Sequence, residues 1–144
     1  MTEVDANKVV IRRCHLEEVP TILALWREAE TSVSLTDTVE DLGRTVADSP
    51  AVVLVAEVKG QVVGSVIGSF DGWRGNIYRL AVHPDYRRQG IASALVIEVE
   101  RHLVCQGAKL ISAWVEQEHP WAMGFWRAMD YELDTGMVRF IHRL

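Results

Sequence analysis

The sequence predicts an α/β fold, a mixed central sheet of about seven strands flanked by about four helices, in a single domain spanning residues 1–144. Three observations lead there. Three apolar, strand-like runs, Ala51–Val58, Gln61–Phe70 and Asn76–Val82, are separated only by Lys59-Gly60 and by Asp71-Gly72-Trp73-Arg74-Gly75, the spacing of an antiparallel meander. A helix-periodic stretch then lies between the strand ending at Val82 and a further strand, Lys109–Val115. A helix between two strands of one sheet is a crossover, so those strands should run parallel. Ahead of the meander, two helical segments follow a short first strand.

Taken in order, Lys8–Arg13 (KVVIRR) reads as the first strand. Leu16, Val19, Leu23 and Trp26 recur at helical spacing, with Glu17 and Glu18 in the first turn, where acids suit the helix dipole. A second helix is expected from about Thr38 to Ala47, with Val39, Leu42 and Val46 on one face and Thr38 with Asp41 as a capping box; Asp48-Ser49-Pro50 ends it. The three-strand meander comes next. The crossover helix carries Ala92, Leu95, Val96, Val99 and Leu103 on one face and stops at Gly107. Lys109–Val115 is expected as a buried strand. His119-Pro120 should open a last helix with Pro at its first position and Trp121, Ala122, Phe125, Trp126 and Met129 as its apolar face. Tyr131–Asp134 and Met137–Ile141 are expected to close the fold as a hairpin about Thr135-Gly136.

Composition narrows the function. The net charge of −5 lacks the basic face that general nucleic-acid binding requires, so no nucleic acid is expected as a partner, and it favours a cationic acceptor as readily as it describes an ordinary acidic surface. No run of about 18 apolar residues exists, so no membrane span is expected. Met1–Lys8 is polar and acidic, unlike a signal peptide. Cys14 and Cys105, far apart and outside any C-x-x-C pattern, point to a reducing, cytoplasmic setting and away from a cysteine-based zinc site; no metal is expected.

One stretch carries the chemistry: Tyr78–Leu95, YRLAVHPDYRRQGIASAL. An apolar strand turns at His83-Pro84-Asp85, passes through Arg87-Arg88-Gln89-Gly90-Ile91-Ala92 and enters a helix. The first backbone N–H groups of a helix have no internal partner and sit at the positive end of its dipole, so such a start is an anion site, and Gly90 lets backbone approach the anion closely. A plain strand–helix crossover with basic surface residues is the competing reading. It loses ground because the hexapeptide follows Leu80-Ala81-Val82-His83-Pro84 after only Asp85-Tyr86.

The stretch resembles the signature of the GNAT superfamily, the GCN5-related N-acetyltransferases, [Q/R]-x-x-G-x-[G/A] after a strand ending in a V-x-P-like turn. Arg87, Gly90 and Ala92 fill the defined positions and Val82-His83-Pro84 supplies the turn. The order of elements also matches, and within the family the detailed likeness is to the bacterial branch of ribosomal-protein N-acetyltransferases and their small relatives. The resemblance implies acetyl-CoA as cofactor, a primary amine as acceptor (a small molecule, a protein N-terminus or a lysine) and, from family habit, a homodimer as the oligomer to test. In the family the strands on either side of the signature helix splay apart and the pantetheine arm lies between them. Carried over by position, Leu80, Ala81 and Val82 should offer backbone groups to that arm. Arg88, Gln89, Gly90, Ile91, Ala92 and Ser93 should cradle the pyrophosphate, with Arg87 or Arg88 adding a salt bridge. His119 and Phe125, around the start of the last helix, complete the expected cofactor set.

The implied transfer needs a neutral amine, a base to take its proton and a donor for the developing oxyanion, for which the Val82 N–H is the candidate. Here the chain departs from family habit. Many members place a glutamate base six residues before the V of V-x-P, and that position is Asn76; many carry Phe-Tyr in the last helix, and here the pair is Phe125-Trp126. Neither Asn nor Trp titrates. Glu116, otherwise a solvated loop acid, and Tyr78, otherwise a core tyrosine, are therefore the candidate proton acceptors, while His119 has a titration range that would serve and an ordinary reading as a helix-entry residue. Asp71 and Trp73 at a loop tip, with Asn76 and Trp114, are candidates for the acceptor side; turn chemistry explains Asp71, and core filling competes for the tryptophan. Two rivals stand beside catalysis. A non-catalytic acyl-CoA-binding or regulatory module is favoured by the absent glutamate and tyrosine, and turnover of acetyl-CoA discriminates it. A nucleotide-binding domain would need G-x-x-x-x-G-K-[ST] or G-x-G-x-x-G, and the sequence has neither.

Overall fold

A computed structural model describes residues 8–29 and 31–144. The chain divides into two compact units, Met1–Trp114 and Val115–Leu144.

The first unit is a five-stranded sheet in the order β1–β5, comprising β1 (Val9–Arg13), β2 (Val52–Val58), β3 (Gln61–Phe70), β4 (Gly75–Val82) and β5 (Ile111–Ala113). The first four strands pair antiparallel and β5 pairs with β4 in parallel, so β1 and the meander belong to one continuous sheet and the crossover has the expected sense. Lys59 and Gly60, at φ 52° and 79°, form the left-handed two-residue turn that joins β2 to β3.

Helices cover both faces of this sheet. On one face, α1 (Val19–Glu28) and α2 (Val39–Asp48) close a cluster of Val19, Ile22, Leu23, Trp26 and Leu42 with Val53, Val55 and Ala81. α2 starts as expected, with the Thr38 hydroxyl accepting the Asp41 N–H at 3.1 Å. The other face carries α3 (Ile91–Gln106), whose Ile91, Leu95, Val96, Val99 and Leu103 are buried. Ile91, rather than the anticipated Ala92, heads this stripe. β2, covered on both sides, is apolar almost throughout, as a strand with no solvent face must be. Glycines set how closely α3 approaches. A Cβ on Gly68 would lie 2.3 Å from Val99 Cγ2, and one on Gly64 would lie 3.1 Å from Leu95 Cδ1.

Three expectations are corrected. β5 spans three half-buried residues rather than the seven of Lys109–Val115, because only Ile111, Ser112 and Ala113 find partners on β4. In the second unit, α4 (Ala122–Ala128) begins two residues beyond Pro120, capped by Trp121 rather than led by the proline, and buries Ala122 and Trp126. The final hairpin is absent among the described residues. Asp134 Oδ1 accepts the Gly136 N–H at 3.0 Å, so the turn at Thr135-Gly136 forms, but neither flank is a strand and Phe140 is 94% exposed. A two-stranded ribbon is marginal without a sheet to join, and alternating apolar residues alone do not supply one. Among the described residues the sheet therefore has five strands, not about seven, and the α/β class with four helices stands.

Candidate active site

The site is built where β4 outruns β5. Gly75, Asn76 and Ile77 pair with Ile111, Ser112 and Ala113, and the Trp114 N–H closes the ladder on Ile77 O at 3.0 Å. From Tyr78 onward β4 continues without β5 beside it. Its other edge stays paired, with Ala81 opposite Ser65 and the His83 N–H donating to Val63 O at 2.8 Å. Successive residues of a strand point their backbone groups to opposite edges. Ala81 and His83 thus face β3, and the N–H and C=O of Val82 project from the open edge.

A β-bulge interrupts this strand. The register shifts between Ser65 and Ile67, and Arg79 sits at φ 53°, a left-handed conformation that an L-residue adopts only when its surroundings hold it there.

The loop after β4 is fixed by its own side chains. His83 Nδ1 accepts the Asp85 N–H at 3.2 Å and caps the short turn Pro84–Tyr86, while His83 Nε2 lies 2.7 Å from Glu28 Oε2. That network assigns the ring proton to Nε2, so both nitrogens are engaged and this histidine holds no free site for base chemistry. Arg88 (φ 64°) and Gly90 (φ 78°) are both left-handed, and such alternation turns successive amides toward a common point. The Ala94 N–H is the first to close onto Gly90 O, at 3.0 Å, which leaves the amides of Ile91, Ala92 and Ser93 at the mouth of a sixteen-residue helix. A Cβ built on Gly90 meets nothing within 4 Å. The residues present therefore fit a bound pyrophosphate, with open space, oriented amides and the positive end of α3.

The sequence-derived candidates divide as follows. Gln89 and Arg88 are exposed at the cradle. Arg87 Nη2 donates to Ala29 O at 3.2 Å, beyond the end of α1. Asn76, Tyr78 and Trp114 lie where β4 and β5 part, with Asn76 level with Ser69 on β3 and Ser112 on β5. Asp71 and Trp73 are at the far end of β4, about 23 Å of strand from the anion loop at roughly 3.3 Å per residue. There the Asp71 carboxylate accepts the N–H groups of Trp73 and Arg74, both at 2.8 Å, which holds its pKa below the usual carboxylate value, and Arg74 stacks on the Trp73 ring at 4.3 Å. Glu116, His119 and Phe125 belong to the second unit. Glu116 is exposed there, and the His119 ring stands edge-on to Trp121 at 4.7 Å.

Sequence reasoning passed over Arg79, Asp37 and the Glu28–His83 pair. Arg79 carried a signal, being the one charged residue inside the run Ile77–Val82. Its partners are distant in the chain and carried none.

Comparison with known proteins follows the same outline. The sequence model of the acetyltransferase (GNAT) family matches residues 19–131. An acetyltransferase of Yersinia pestis is 36% identical over 129 residues, 89% of this chain and 92% of that protein. Among solved structures, an aminoglycoside N-acetyltransferase in complex with CoA superposes with a TM-score of 0.79 at 15% identity, covering 96% of this chain and 97% of the other. A ribosomal-protein-alanine N-acetyltransferase from Brucella melitensis biovar Abortus 2308 does so at 0.72 and 20% identity, covering 95% and 100%; at these identities both show likeness of fold. With the family model matching residues 19–131 and a relative 36% identical over about nine-tenths of both chains, the chain belongs to the GNAT family of acetyl-CoA-dependent N-acetyltransferases.

Proposed function

We propose that the chain acetylates a primary amine by direct attack, with the cofactor laid along the open edge of β4 and its pyrophosphate at the start of α3. One observation carries this reading: the unpaired edge from Tyr78 to Val82 leads straight into the left-handed Arg88–Gly90 turn, so an extended amide chain and a phosphate find their donors in the order in which they are joined. Bound acetyl-CoA supplies a thioester open to attack by a neutral amine. Leu80 and Val82 bind the pantetheine arm through backbone groups, and the Val82 N–H also stabilises negative charge developing on the carbonyl oxygen. Arg88 and the amides from Gln89 to Ser93 hold the phosphates. The family match runs through both units, which supports reading residues 1–144 as one acetyltransferase domain.

Proton removal is assigned away from Asn76 and His83. Asn76 is amide, not carboxylate, and His83 is committed to Glu28 and Asp85. The sequence assigns the amine proton to Glu116, then Tyr78 or water, the cofactor to His119 and Phe125, and the acceptor to Trp114 with Asn76. Positioning alone can supply roughly 7–11 kcal/mol of barrier reduction, whereas a general base adds about 10²–10⁴-fold, so turnover survives a weak base. The test is acetyl-CoA consumption across a panel of peptide N-termini, lysine peptides, polyamines and aminoglycosides, followed by kcat/KM against pH for wild type and Glu116→Gln. The wild-type profile should rise with pH as the amine deprotonates, and Glu116→Gln should lower kcat/KM by about 10²-fold or more across it. A level wild-type profile with an acceptor of high pKa would refute the direct-attack scheme, and an unchanged kcat/KM in Glu116→Gln moves the role to Tyr78 or water.

A further inference from the structure

We infer that Arg79 is a positioning residue that holds loop 31–37, between α1 and α2, beside the stretch where β4 leaves β5, so that this loop together with Asn76 and Trp114 borders the acceptor, an inference that rests on the reaction proposed above. Its backbone occupies the bulge immediately before Leu80–Val82, the residues assigned to the cofactor arm and the oxyanion. Its side chain reaches in the opposite sense, to the connection between α1 and α2. Arg79 Nη2 donates to both carboxylate oxygens of Asp37 at 2.8 Å, and Nη1 donates to Ser32 O at 2.7 Å. The guanidinium lies 5.0 Å from the centre of the Trp26 ring. Both charged side chains are largely shielded, at 18% and 15% exposure, so this pair keeps more of its strength than a surface ion pair does.

Each partner is itself fixed. Trp26 Nε1 donates to the fully buried Ser65 hydroxyl at 2.9 Å, and Ser65 stands opposite Ala81 on β4. Trp26 O accepts both the N–H and the hydroxyl of Thr31, at 3.2 and 3.0 Å. Asp37 closes a turn with Ser34, giving its N–H to Ser34 O and taking the Ser34 N–H on Oδ2, both at 3.1 Å, and Thr38, the cap of α2, follows directly. A single arginine therefore joins the bulge of the cofactor strand to the loop 31–37 and, through it, to the start of α2. Losing its side chain leaves the shielded Asp37 carboxylate without its cation and frees the loop, while the paired edge of β4 and the Gly90 cradle stay intact.

The experiment compares wild type with R79Q, R79K, R79G and D37N, reading acceptor KM, calorimetric affinity for CoA, and hydrogen exchange of amides 31–38. R79Q and D37N should raise acceptor KM by about ten-fold or more and speed exchange of 31–38 by a similar factor, while CoA affinity stays within about three-fold. R79K should recover part of the loss. R79G adopts the left-handed backbone freely, so it preserves the bulge and should still show the raised acceptor KM. Acceptor KM and exchange both unchanged in R79Q would overturn the inference, as would R79G behaving as wild type or CoA affinity falling in step with acceptor KM. If R79Q does not fold, D37N keeps the arginine and answers the same question. Exchange and CoA affinity are read without turnover. A wild-type chain that acetylates no amine would therefore count against the proposed reaction, while unchanged exchange in the variants would count against the anchor.

Discussion

Replacing Gly90 by valine separates stability from cofactor affinity at one atom. Gly90 sits at φ 78°, and a Cβ built there touches no protein atom within 4 Å. The folded state loses no packing, so its cost is the backbone term alone, about 1–2 kcal/mol for an L-residue in the left-handed region and more for a β-branched one. For a domain of this size that lowers Tm by roughly 3–8 °C. The effect on binding is larger, because the new atoms fill the space the phosphates would occupy and the amides of Ile91, Ala92 and Ser93 lose access to them. A hydrogen bond to a charged group contributes about 1.5–3 kcal/mol. Losing two therefore weakens CoA by on the order of 10²–10⁴-fold, at about 1.4 kcal/mol per factor of ten. Titration calorimetry with CoA, beside a thermal melt of the same sample, measures both. A Gly90→Val protein that binds CoA within about three-fold of wild type would refute the placement of the pyrophosphate. So would a Tm collapse that accounts for the lost binding by unfolding.

Gly68→Ala should do the reverse: its Cβ would lie 2.3 Å from Val99 Cγ2 in the packed α3 interface, so about 1–3 kcal/mol of stability is lost, and Val99→Ala in the same chain should restore part of it in urea melts. Cys14, whose thiol is pushed up to about 11 by burial and donates to His15 O at 3.1 Å, should resist iodoacetamide at mildly alkaline pH while the exposed Cys105 reacts, and equal labelling rates in the folded protein would contradict this. The Glu18 carboxyl is held at about 2 by hydrogen bonds from the Arg12 guanidinium at 2.7 and 2.8 Å, against an ordinary value of 4.5. Its contribution is therefore present above pH 4.5 and lost as the pH falls toward 2. Glu18→Gln should cost about 1–2 kcal/mol at neutral pH and nothing at the acid end, as read by urea unfolding across that range.

What the sequence determined by itself was local. The period of Val52–Val58 and Gln61–Phe70, the turn at Lys59-Gly60, the Thr38 cap and the glycine at the start of α3 are each settled by a few neighbouring residues, and each is where the sequence puts it. The left-handed turn and helix start of the proposed anion site were legible for the same reason, since Arg88, Gly90 and the first amides of α3 are neighbours in the chain. Tertiary structure decided what depends on partners distant in sequence. β5 stops after three residues because only Gly75, Asn76 and Ile77 of β4 pair with it, and Met137–Ile141 has a strand's alternation with no ladder to join. Arg87 meets Ala29 O across 58 positions. Arg79 meets Asp37 across 42 positions. Periodicity and capping are encoded within a turn or two of the residue concerned; an edge left open, a bulge and an ion pair between elements are properties of how those elements meet, which no local pattern records.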